Sequence, residues 1–90
     1  MMNEQRRQFL SVLRDLPLRV TAEEVAWMLN CAEHDVPCLV RAKLLKPLGK
    51  PTRNARKFFD PEEILKRRKD RAWKDKVSNT IYAHWRNANE

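Results

Sequence analysis

Between Val36 and Phe59 the chain carries seven bases, Arg41, Lys43, Lys46, Lys50, Arg53, Arg56 and Lys57, and no acid. Guanidinium and ammonium groups gathered with nothing of opposite sign among them make a single-sign field, and the chemistry open to such a field is the binding of a polyanion. The preceding stretch has the opposite sign, with four acids and no base from residue 21 to 35. Residues 1 to 20 and 60 to 90 add +2 each, so the 36 to 59 run holds an excess equal to the formal net charge of +7 of the whole 90-residue chain. The competing reading is a surface that merely keeps a small domain soluble; a run of 24 residues without one acid favours the polyanion.

These side chains divide by role. Lys43, Lys46, Lys50, Arg53, Arg56 and Lys57 suit phosphate contacts, which position a protein on a duplex without reading its sequence. His34, Pro37, Cys38 and Arg41 fall off the apolar stripe of their helix and are expected to face a groove, with Arg41 addressing guanine and His34 donating to a base acceptor. Glu33 and Asp35 could accept from cytosine N4, but two acids at a helix start are better explained by its positive end and by capping.

Other chemistries fit less well. Cys31, His34 and Cys38 stand at i, i+3 and i+7, which invites a zinc reading, yet structural zinc takes four ligands and the only other histidine, His84, lies far along the chain. Reduced, packed thiols are expected instead, and no metal or cofactor. Two serines, two histidines and two cysteines form no set of nucleophile, base and orienting group, and a chain with one glycine has no glycine-rich phosphate loop. The chain does not read as an enzyme.

The elements that must carry the basic run begin at Thr21. Thr21 and Glu24 have the spacing of a capping box, and Val20 and Val25 that of the apolar staple flanking one. Ala22, Val25, Ala26 and Leu29 then keep one helical stripe. Asn30 tolerates the left-handed conformation that ends a helix, and Val36, Leu39, Val40 and Leu44 restart the period after a short turn, predicting two helices joined by a turn. Pro37 lacks an N–H and disfavours the α conformation at Val36, so the second helix is expected to open irregularly. Gly49, between Pro47 and Pro51, marks a tight reversal, with Leu44 to Leu48 and Arg56 to Phe59 as the expected strands of a hairpin.

The ordered set Thr21, Glu24 and Ala26, then Leu29-Asn30, Val36, Leu39-Val40, Leu44-Leu45, and Phe59-Asp60 leading to Ile64-Leu65 resembles the winged helix-turn-helix domains of the MerR and excisionase type. The resemblance covers about half of the chain. It implies DNA binding with the second helix in the major groove and the hairpin as a wing on the flanking backbone. Two departures stand out: Lys43 replaces the usual glycine, and Glu33 and Asp35 open the second helix.

Outside that core the sequence predicts two further helices. One spans 3 to 16, with Asn3 as N-cap, a stripe of Phe9, Leu10, Leu13 and Leu16, and Arg6, Arg7 and Arg14 on a solvated face. Trp27, pointing away from the stripe of its own helix, offers the surface it covers. The other spans 61 to 88 as one helix, opened by Asp60 and Pro61 and carrying Trp73, Val77, Ile81 and Trp85. Those four are expected to pack on the first helix or on a second copy. The fold expected is thus a single, mainly α domain: a winged helix-turn-helix with a small two-stranded hairpin, a helix before it and a long helix after it. No run approaches the apolar length of a membrane span and no secretory leader is present, so a cytoplasmic protein, nucleoid-associated if it binds DNA, is expected. The function expected is sequence-specific binding of double-stranded DNA by a transcription regulator or mobile-element factor, with a homodimer as a further expectation and no small-molecule effector evident. The alternatives are a protein-interaction adaptor that has lost DNA readout and, with fewer aromatic platforms to support it, RNA binding.

Overall fold

The computed structural model describes residues 4–11 and 15–88. Thr21 Oγ1 accepts the Glu24 N–H at 3.2 Å and the Glu24 carboxylate accepts the Thr21 N–H at 2.9 Å, so the capping box forms and starts α2, Ala22–Leu29. Val20 and Val25 are both fully buried beside it. Asn30 ends α2 with φ at 57°, and its N–H and that of Cys31 both reach the Ala26 carbonyl. A single 3-10 turn, Glu33–Asp35, then leads into the short helix α3, Val36–Arg41. That is the irregular opening expected of Pro37, which sits in the first turn of α3 where its missing N–H breaks no bond.

Lys43 ends α3. Its φ is 63°, and the N–H groups of Lys43 and Leu44 bond to Val40 O at 3.0 Å and Leu39 O at 2.9 Å, the paired bonds of a left-handed helix ending. A side chain in that conformation is strained, partly offset by the freedom glycine brings to the unfolded chain. Lys43→Gly is therefore expected to stabilise the protein by roughly 0.5–1 kcal/mol, read as a higher urea midpoint at unchanged slope.

The sheet is not the predicted hairpin. β1 (Val20–Thr21) pairs antiparallel with β2 (Phe58–Phe59), Val20 opposite Phe59 and Thr21 opposite Phe58. Leu44 to Leu48 form no strand, and one bond, Leu48 N–H to Phe58 O at 2.8 Å, ties that stretch to β2. Pro47 removes the donor a ladder would use there, whereas Val20 and Thr21 keep all their backbone groups and Val20 packs its side chain into the same core as Phe59.

The C-terminal region is two helices, α4 (Pro61–Arg67) and α5 (Arg71–Ala88), and not one. Asp60 accepts the Glu62 N–H at 3.0 Å and starts α4 as expected. Asp70 Oδ1 then accepts the N–H groups of Ala72 and Trp73 at 3.0 and 3.3 Å and starts α5 afresh. Ser78 and Asn79, the residues with most tendency to interrupt a helix, lie inside α5.

α1, Glu4–Ser11, packs on α2, with the Phe9 ring 5.7 Å from that of Trp27. The predicted extent to residue 16 is too long, since Asp15 and Leu16 are not helical; Asn3, Leu13 and Arg14 lie outside the described residues. Arg6 is not on a solvated face either: its Nη2 donates to Asn30 Oδ1 at 2.8 Å and Trp27 O at 3.4 Å, joining α1 to the end of α2. α5 packs on α3, so the predicted packing of first helix on last is replaced by two separate pairings. The core between these layers centres on Val25, Leu39, Phe59, Ile64, Trp73 and Val77. Among the described residues no helix is long and apolar enough to cross a membrane.

Candidate nucleic-acid interface

α3 is only six residues long, about 9 Å, so few side chains can project from it. One side meets α5; another meets the segment that leads back to β2. Between α3 and that segment lies an open cleft of about 430 Å³. Val36, Pro37, Val40 and Phe59 give it an apolar floor and lip, Arg41, Arg53 and Lys57 supply its cations, and no carboxylate lines it. Lys57 Nζ donates to Arg53 O at 3.3 Å, which closes the turn carrying both. Arg41 Nη2 donates to Cys38 Sγ at 3.2 Å and keeps most of its guanidinium outward.

Of the four residues expected to read bases, three, His34, Pro37 and Arg41, are exposed. Pro37 and Arg41, four apart on α3, are exposed and line the cleft. Cys38 is buried at 7% exposure and is not available to a groove. Its thiol points back to His34 O at 3.9 Å, on a side of α3 covered by the rest of the fold. His34 is held in an aromatic group with α5, its ring 5.0 Å from Trp85 edge to face and 6.3 Å from His84. The acids resolve as capping predicts: Asp35, 2% exposed, accepts the Ala32 N–H at 3.0 Å, while Glu33 faces solvent.

The six residues expected on phosphate scatter more widely. Arg53 and Lys57 join the cleft. Lys43 and Lys50 are exposed away from its lining. Lys46 is exposed and lines a separate small crevice with Asp60, Glu63 and Arg67, where Glu63 pairs with Arg67 at 3.1 Å. The Arg56 guanidinium lies over Phe58, 5.7 Å from the ring centroid, and Arg19 lies over the same ring at 3.7 Å. Arg19 escaped the sequence reading because only the sheet register brings residue 19 to residue 58.

Of the predicted packing residues, Trp73 and Val77 are buried in the chain's own core and Ile81 is half-buried against it. Trp85 is 41% exposed and, with Tyr82 at 65%, forms the open edge of α5.

The two thiols are free. Burial, and secondarily the nearby Asp35 carboxylate, pushes the Cys31 thiol up to about 11. Because the folded protein disfavours the thiolate, the neutral thiol persists above its ordinary value of 9.0, and the stability linked to it is full below that pH and lost as pH rises from there towards about 11. At pH 8 Cys31 should react with iodoacetamide roughly two orders of magnitude more slowly than an unhindered cysteine, since only the thiolate attacks. Alkylation at the rate of free cysteine would contradict that environment.

The structure thus defines a mainly helical protein with a two-stranded antiparallel sheet and a cationic, apolar-floored cleft beside its shortest α-helix. No protein-family model, curated protein or solved structure matches the chain.

Proposed function

We propose that the chain binds double-stranded DNA as a winged helix-turn-helix of MerR or excisionase type, acting on the nucleoid as a transcription regulator or a mobile-element factor. In this reading α2 and α3 are the helix-turn-helix, α3 is presented to the major groove, and residues 44 to 59 serve as the wing. The observation that carries it is the convergence of Arg41, Arg53 and Lys57 on one cleft that no carboxylate lines. A phosphate approaching such a cleft meets three charge-assisted donors and no repulsion. Base reading falls first to Arg41, whose fork matches guanine O6 and N7, because Cys38 is buried and the ring of the exposed His34 lies against Trp85. The exposed Tyr82 and Trp85 edge of α5 is the surface for pairing two copies, which would suit two half-sites on DNA.

An adaptor that binds another protein through Tyr82 and Trp85, and no nucleic acid, is the second reading, favoured by the same exposed edge. One experiment separates them. Fluorescence anisotropy of a labelled random-sequence duplex, titrated with the protein across a salt series, should give affinity that falls steeply as salt rises. Absence of duplex binding at low salt would remove the DNA reading and leave the adaptor.

A further inference from the structure

The cleft beside α3 contains two chemistries, and phosphate uses only one. Arg41, Arg53 and Lys57 satisfy an anion; the exposed Pro37 and the half-buried Val40 beside them gain nothing from a phosphodiester, over a floor that the core residues Val36 and Phe59 close from within. A single thymine methyl, the apolar group a duplex could offer, fills a small part of about 430 Å³. That volume lies instead within the range of roughly 300–1,000 Å³ found for small-molecule sites, which combine a mostly apolar lining with a few convergent polar groups.

We infer that this cleft is a binding site for a small organic anion with an apolar body, such as an aryl carboxylate. The ring lies against Pro37 and Val40, above the closed floor of Val36 and Phe59, and the carboxylate meets Arg41, Arg53 and Lys57. The donors suit the task. Arg41 commits one guanidinium contact to Cys38 Sγ and Lys57 one ammonium contact to Arg53 O, and these bonds steady both side chains while leaving further N–H groups for a ligand. With no acid in the lining, a carboxylate meets no like charge. A neutral ligand of the same shape would leave the cations unanswered, so the site selects charge as well as bulk. The site is defined without reference to a duplex and is tested without one.

The probe is 2-naphthoate, compared with its neutral isostere 2-naphthamide, each titrated into the full 15N-labelled chain. Naphthoate should bind one to one, with amide shifts concentrated at Val36, Val40, Phe59 and their neighbours. Naphthamide should bind about tenfold more weakly or worse, the cost of losing one charge-assisted contact. Lys57→Gln, at a wing position outside the core, should weaken naphthoate by a similar factor and leave naphthamide unchanged, which a general loss of structure would not do. Equal affinity for the two compounds, shifts centred elsewhere, such as around Leu18 and Leu48, or no saturation at millimolar naphthoate would each overturn the proposal.

Discussion

Replacing Trp73 with alanine is expected to destabilise the protein by about 3–5 kcal/mol, a large part of the roughly 5–15 kcal/mol that holds a small domain folded. Trp73 is 5% exposed, in the core that Leu39 and Phe59 share, and its indole N–H donates to Leu44 O at 3.1 Å. It therefore fastens α5 to the chain just beyond the end of α3. Trp73→Phe separates the two contributions. It keeps most of the apolar contact but removes the donor, and should cost about 1–3 kcal/mol, with the remainder of the alanine effect belonging to packing. Tyr82→Ala, on the same helix at 65% exposure, should stay within about 0.5 kcal/mol. Urea unfolding of the three variants decides it: equal midpoints for Trp73→Ala and Tyr82→Ala would mean that α5 does not dock as described.

Trp73 also shows where sequence reading reached its limit. Its inward side was legible from the helical period, because Ile64, Leu65, Ala72, Trp73, Val77 and Ile81 remain in phase. The same period concealed the break between α4 and α5, since a short interruption that restores the phase leaves the stripe intact. The one local sign was Asp70, a good N-cap, and it stood among alternating charges that read equally well as a solvated face. With the break in place α5 has 18 residues, about 27 Å, against about 42 Å for the single helix expected. Trp73 and Val77, expected to pack on the first helix or on a second copy, are therefore covered within the chain's own core, where α5 meets α3.

The starts of α2 and α4 were legible because capping and staple contacts lie within five residues of one another. The sheet was not, because Val20 and Thr21 are too few to show alternation and their partners, Phe59 and Phe58, stand 39 and 37 positions away. For α3 the difficulty was length: a six-residue helix covered on more than one side buries Cys38, which the apolar stripe alone leaves facing outward. The excess of positive charge was plain from composition, but the convergence of Arg41, Arg53 and Lys57, and the placing of Lys46 at a different crevice, depend on tertiary contacts that no local pattern encodes.

The convergence makes the sharpest demand on the DNA reading. If these three cations meet three phosphates, the variant carrying Arg41→Gln, Arg53→Gln and Lys57→Gln should bind duplex roughly a hundred- to a thousandfold more weakly near 0.1 M salt, and its slope of log affinity against log salt should be shallower by about 3, at about 0.9 per phosphate contact. Glutamine keeps bulk and hydrogen bonding while removing charge, so the slope reports counterion release and not loss of shape. Within the set the roles differ. Arg53→Gln or Lys57→Gln alone should weaken all sequences alike, and Arg41→Gln alone should also narrow the preference for guanine-containing sites. Lys46→Gln is the control, because Lys46 lies outside the lining of the cleft, and it should leave the slope near that of the parent. A triple variant that binds duplex as the parent does across the salt series would show that the cleft is not where DNA sits, whatever else the protein binds there.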